Sequence, residues 1–106
     1  RLAGPDGALP LVQLSDEWER LFADHERDGP EGPDIALPPA EFTRLANAVR
    51  QALAEPARRG ILPAIATSAR RRRFVRDVLE AKGVTNPVLS FEEIGTRTPL
   101  SLVGTA

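Results

Sequence analysis

The spacing of apolar positions alternates along this chain between the two-residue period of a strand and the 3.6-residue period of a helix. Leu9 to Leu14 reads as an apolar strand following the turn signal Asp6-Gly7, and Leu2 as the end of an earlier strand that would make this turn a hairpin. Ser15 is the expected N-cap of a first helix, with Asp16 and Glu17 in the turn where the helix dipole favours carboxylates. Trp18, Leu21, Phe22 and His25 then fall at i, i+3, i+4 and i+7, one face of that helix. The stretch RDGPEGPDIALPP breaks the pattern and reads as an exposed loop. Pro38 and Pro39 open a second helix whose inward stripe is Phe42, Leu45, Ala46, Val49, Ala52 and Leu53. Pro56 predicts its stop at Glu55.

ILPAIAT is nearly continuous in apolar residues, as a strand buried on both faces would be. Ser68 is the expected cap of a third helix with Phe74, Val75, Val78 and Leu79 inward. Gly83 is placed to end this helix in the left-handed conformation, with Val84 as the apolar residue beyond it. NPVLSF supplies another strand, so residues 61–90 form a βαβ unit. Glu92, Glu93 and Ile94 make a short turn, and PLSLVG alternates like a final edge strand. The predicted class is α/β, a small mixed sheet with flanking helices, in a single domain over residues 1–106.

Composition adds few chemical options. There is no cysteine, which removes disulfides, thiolate nucleophiles and cysteine metal sites. No apolar run is long enough to span a bilayer, and nothing at Arg1 resembles a signal peptide. The abrupt opening without Met reads as a piece of something larger. His25 is the one histidine, and its place on the Trp18–Phe22 face makes it a partly buried helix residue. The serines at 15, 68, 90 and 101 lie in no nucleophile elbow. Asp16/Glu17 and Glu92/Glu93 are sequence neighbours, which do not face each other on a helix. No glycine-rich phosphate cradle or metal-ligand spacing is present, so no cofactor, metal or enzymatic activity is expected.

Charge changes the picture more. The net charge of -1 hides a division. Residues 1–41 hold ten acidic and three basic side chains, a balance of -7, and residues 42–106 hold five and eleven, a balance of +6. Four consecutive arginines, Arg70 to Arg73, start the third helix, at the end where the dipole disfavours cations. At about 100° per residue they cannot share one direction. Arg71 falls in line with Phe74, Val75 and Val78 and lays its stem along the core edge. Arg73 can pair with Asp77, and Arg72 and Arg76 can reach Glu80. Arg70, Arg72, Arg73 and Arg76 are the candidate protein-interaction surface, docking on the acidic first forty residues or on a neighbouring subunit. A nucleic-acid-binding α/β domain using Arg70–Arg76 is the alternative. A pI near 5.8 and the absence of tyrosine weigh against it. A small-ligand domain around Thr67 and Ser90 is a third reading.

The motifs resemble a family. Ala66-Thr67-Ser68, Arg72, Phe74 and Arg76, then Val88-Leu89-Ser90-Phe91, Glu93, Ile94 and Val103-Gly104, follow the order and spacing seen in the export gate proteins of bacterial type III secretion, the family of flagellar FlhA and injectisome SctV. Leu14 to Glu19 and Leu37 to Phe42 match earlier elements of the same pattern. Only Arg72 of the arginine run carries a family correspondence. The resemblance implies the last cytoplasmic subdomain of a polytopic inner-membrane protein. Its cytoplasmic parts would form a nine-membered ring that receives chaperone–substrate complexes and other export apparatus proteins. The resemblance implies that the main chaperone cleft lies in earlier subdomains. A flagellar rather than injectisome role is expected, with no nucleic-acid partner.

Overall fold

The computed structural model describes residues 7–30, 32–95 and 98–106, so the hairpin expected from Leu2 and Asp6 lies outside the described residues. Its elements run β1 (Leu9–Gln13), α1 (Asp16–Asp24), β2 (Glu26–Gly29), β3 (Gly32–Ile35), α2 (Pro39–Arg58), β4 (Ala64–Thr67), α3 (Ala69–Ala81), β5 (Val88–Ser90), α4 (Phe91–Ile94) and β6 (Leu100–Thr105). The sheet order is β5-β4-β1-β6. All its pairings are parallel, and β6 is an edge as its alternation predicts. The antiparallel component is a separate two-stranded ribbon, β2 with β3. The βαβ unit expected over 61–90 is β4-α3-β5, with Ile65 opposite Val88 and Thr67 opposite Ser90.

One apolar cluster joins the sheet to the helices. Val12, Ile65 and Val88 meet Trp18 and Phe22 of α1, Leu45, Ala46 and Val49 of α2, and Val75, Val78 and Leu79 of α3. An aromatic ladder links three of the helices. Trp18 and Phe22 lie 6.2 Å apart, Phe22 and Phe74 meet edge-on at 5.4 Å, and Phe74 and Phe42 at 6.1 Å. His25 closes α1 as its C-cap, and its Nδ1–H donates to the Leu21 carbonyl at 2.9 Å.

Two expectations fail. The stretch read as a loop contains β2 and β3, whose register pairs Glu26 with Ile35 and Gly29 with Gly32. Glycine, proline and charge hide a strand that has no alternating apolar face of its own. The ribbon is held instead at its base, where Ile35 packs on the main cluster and Ala36 N–H donates to the His25 carbonyl at 3.0 Å. Nor does α2 stop at Glu55, because Pro56 lies inside it and is fully buried. A proline cannot donate to the carbonyl four residues back, here that of Ala52. That position falls in the final turns, which close through Arg59 N–H to the Pro56 carbonyl and Gly60 N–H to the Ala57 carbonyl. Gly104 of β6 lies against the same place. A Cβ there would stand 3.2 Å from the Ala52 oxygen and 3.6 Å from Val12 Cγ2. The register of β6 on β1 skips one residue beside it, from Leu11↔Leu102 to Val12↔Gly104, as a bulge does.

The end of α3 follows expectation. Val84 N–H donates to the Leu79 carbonyl at 2.8 Å and Gly83 N–H to that of Glu80 at 3.0 Å, the pair of bonds of a Schellman ending. Gly83 has φ +83° and Val84 is buried.

Candidate interaction site on the arginine helix

Helix α3 lacks both of the charge complements its ends call for: no acidic residue in the first turn and no basic one in the last. Ser68 occupies the N-cap position in extended geometry, but its side chain makes no cap bond. Ser15 is the same on α1. The missing groups arrive from other elements. Ala69 N–H, the first free amide of α3, donates to both carboxylate oxygens of Glu92 at 3.2 and 3.3 Å. The hydroxyls of Thr67 and Ser68 donate to Glu19 of α1 at 2.8 and 3.4 Å. At the far end Arg50 of α2 donates to the Lys82 carbonyl while its other nitrogen holds Asn47 at 2.9 Å. The helix therefore has anions at its positive end and a cation at its negative end, none of them its own.

The arginines divide among three settings. Glu26, at the base of the β2–β3 ribbon, takes Arg70 through a two-toothed contact, Nε to Oε2 at 2.9 Å and Nη2 to Oε1 at 2.5 Å. The same carboxylate accepts from Nη1 of Arg71. Arg71 is 7% exposed and lies along the core edge as its helical phase predicts. A guanidinium that deep requires a partner, because an unpaired buried charge is costly. Hydrogen bonds from Arg70 and then Arg71 hold the Glu26 carboxyl down to about 2, and the same contact raises the Arg70 guanidinium. Arg72 is directed to the other side. Its Nε donates to the Val88 carbonyl at 3.2 Å and stands 2.7 Å from Glu93. Glu93 is itself fixed by a capping box with Ser90 at the start of α4.

The third setting is open. Among the described residues Arg73 makes no ion pair or hydrogen bond, and it lines a cleft of about 570 Å³ between the ribbon and α3. Phe74 and Ile35 supply its apolar wall, and Arg70, Asp34 and Asp77 its charged rim. Arg76 stands 3.7 Å from Asp77, and its Nε is buried without a partner. The expected pairs of Arg73 with Asp77, and of Arg72 and Arg76 with Glu80, do not form. Glu80 lies more than two turns of helix beyond Arg72, which meets Glu93 instead, and Arg76 turns to its sequence neighbour Asp77.

Of the candidate surface, then, Arg70 and Arg73 share one cleft, while Arg72 and Arg76 face elsewhere. Sequence reasoning overlooks Glu19, Glu26, Glu92, Glu93 and Arg50, the groups that complete the site. Glu19 and Glu26 leave a trace in the split of charge between residues 1–41 and 42–106, and Glu93 stands with Arg72 in the family pattern. Among the described residues no group of acidic or histidine side chains could hold a metal, and no helix is long and apolar enough to cross a membrane.

Comparison with known proteins gives the chain's family. Flagellar biosynthesis protein FlhA of Caulobacter vibrioides is 35% identical over 101 residues, 95% of this chain and 14% of that protein. Protein hrpC2 of Xanthomonas euvesicatoria is 32% identical over 98 residues, 92% of this chain and 15% of that protein. The chain thus spans about one seventh of the length of these relatives. In fold it is similar to the C-terminal domain of InvA, with a TM-score of 0.80 at 24% identity over 96% of this chain and 31% of that one. It is also similar to nonameric EPEC SctV-C, with a TM-score of 0.78 at 20% identity over 100% of this chain and 31% of that one. The model of the FHIPEP family matches residues 1–99. By sequence over nearly its whole length, and by fold, the chain belongs to the FHIPEP family, the export gate proteins its motifs resemble.

Proposed function

We propose that this chain is the last cytoplasmic subdomain of a flagellar export gate, a non-enzymatic part of the type III secretion apparatus on the cytoplasmic side of the inner membrane. In this reading residues 1–106 are one domain, placed in a ring of nine subunits where chaperone–substrate complexes arrive. The fold shared with nonameric SctV-C supports the ring. The 35% identity to a flagellar protein, against 32% to hrpC2, favours the flagellar branch.

The face that docks other proteins is the cleft beside Arg73, and the observation that carries this is the unequal distribution of carboxylates. Arg70, Arg71 and Arg72 already hold Glu26 and Glu93, whereas Arg73 stands exposed beside Phe74 with no partner among the described residues. An acidic, partly apolar protein surface would satisfy both. A nucleic-acid strand fits less well, because its phosphates would compete with carboxylates already in place. In the source organism, deletion of these residues from the only copy of the gene should abolish or mis-order hook and filament export while the shortened protein accumulates. Arg73→Glu should reduce export without lowering the protein's level. Normal secretion by the deletion strain would overturn the gate reading. Normal secretion by Arg73→Glu alone would remove the cleft from it.

A further inference from the structure

The β2–β3 ribbon has little of its own with which to hold its position. Its strands carry one large apolar side chain, Ile35, and a two-stranded ribbon by itself is marginally stable in water. Two contacts fix where it leaves the body of the protein: Ile35 on the main cluster, and the bond from Ala36 N–H to the His25 carbonyl. Neither sets its angle to α3. Among the described residues, every hydrogen bond and ion pair between the ribbon and α3 runs through the Glu26 carboxylate. Beyond it, Gly29, Gly32 and Asp34 form the ribbon's wall of the cleft, and Arg73, Phe74 and Asp77 form the wall on α3.

The two guanidiniums on Glu26 differ in what they can do. Arg71 is buried, and it keeps its counterion because an unpaired charge there is costly. It anchors the carboxylate at the core edge. Arg70 is exposed, and its two-toothed contact fixes the plane of the carboxylate as well as its distance. Anchoring and orienting are thereby divided between sequence neighbours. The same contact has a second effect. Arg70 lines the cleft, yet its guanidinium is engaged, so Arg73 is the lining cation left without a partner among the described residues.

We propose that Glu26 is a positioning residue for the docking cleft: it latches the ribbon to α3 as the cleft's second wall and withholds Arg70 from an incoming partner. The proposal rests on the docking reading above and adds what controls that site. Glu26 is not among the lining residues, so it acts through the ribbon and Arg70 and not by touching the partner. With the latch in place, an incoming carboxylate meets one free guanidinium, Arg73, between the rim carboxylates Asp34 and Asp77. With the latch released, the wall swings away and Arg70 becomes a second free guanidinium. Selectivity of shape and of charge are then lost together.

The absence of cysteine in this stretch supplies the test. Asp34→Cys and Asp77→Cys, one on each wall, are placed together in the full-length protein, with any cysteines elsewhere replaced. A short bis-maleimide bridges them in the monomeric detergent fraction, and the rate of bridging reads the ribbon against α3. Glu26→Gln should slow bridging at least about fivefold, since the second step follows the effective concentration of the distant thiol. Gly104→Ala crowds the Ala52 carbonyl from β6 and leaves the latch alone, so it should leave the rate unchanged. An unchanged rate in Glu26→Gln, or an equal slowing in Gly104→Ala, would overturn the proposal. If Glu26→Gln does not accumulate, Arg70→Gln leaves Arg71 its counterion and should still slow bridging, and an unchanged rate there would overturn the proposal equally. In the source organism Glu26→Gln should reduce export, and adding it to Arg73→Glu should reduce export no further. A further loss in the double variant would mean that Glu26 acts outside the cleft, against the proposal. Slowed bridging beside normal export by Arg73→Glu would overturn the docking reading and leave the latch standing.

Discussion

Glu26 is the residue on which the arginine run depends. It serves two guanidiniums, one exposed and one buried, and Gln in its place keeps the shape while giving up the charge. Glu26→Gln should therefore lower the melting temperature at pH 7 far more than Arg59→Ala. The latter breaks an exposed i,i+4 pair with Glu55, expected to contribute no more than about 0.5 kcal/mol. The acid dependence has a definite sign. The Glu26 carboxyl sits at about 2 in the fold against 4.5 as its ordinary value. Its contribution is therefore fully present above about pH 4.5 and disappears as pH falls toward 2. Thermal melts of both proteins across that window should converge at the acid end. A gap between wild type and Glu26→Gln that stays constant would mean that the Glu26 charge is not the source of the difference. None of this was legible in the sequence, where Glu26 lies 44 residues from Arg70 in a stretch that looks like loop. The phase of Arg71 was legible, because helical periodicity alone sets it among Val75 and Val78.

At the scale of elements, α3 is a helix completed by its neighbours, and this reverses a common assumption about capping. Ser68 stands at the N-cap but leaves the amides to Glu92. Ser68→Ala should change stability by less than about 0.5 kcal/mol. Glu92→Ala removes the group that receives Ala69 N–H and should cost about 0.5–2 kcal/mol, as loss of an N-cap does. Chemical denaturation of the two variants checks this, and the opposite order would restore the serine as the cap. Sequence gives the position of a cap well, since extended backbone before a helix is a local property. Which side chain fills it depends on what the sheet brings near, and Glu92 arrives only because β5 pairs with β4. The same holds for α2. Pro56 reads as a stop by every local rule, yet the packing of β6 tolerates it inside the last turns. Gly104→Ala tests that contact. Its methyl would press on the Ala52 carbonyl at 3.2 Å, and a loss of about 1–3 kcal/mol is expected from overpacking.

For the molecule as a whole, the α/β class, the βαβ unit and the edge position of β6 all follow from apolar period and turn chemistry. The ribbon does not, because its strands are fixed by what lies at their base and not by a pattern of their own. The uneven covering of the sheet is likewise invisible in the sequence. ILPAIAT reads as buried on both faces, and Ala64 to Thr67 are all buried, but the sequence does not show that the three long helices share one side of the sheet. The charge split becomes intelligible at this scale too: acidic residues early in the chain are counterions for a helix made later.

The sheet's connectivity also has a consequence in time. The first strand, at the centre, pairs on one side with the last, and Ala106 N–H closes on the Gln13 carbonyl at 2.9 Å while its own carbonyl receives Ser15 N–H at 3.0 Å. During synthesis, Gln13 must wait through roughly ninety further residues for that neighbour, which at about 5–20 residues per second is on the order of 5–20 s. Throughout that interval a central apolar strand has at least one side unoccupied on the ribosome, and both until β4 is made. The centre of the sheet thus stays open to mispairing until this stretch is finished.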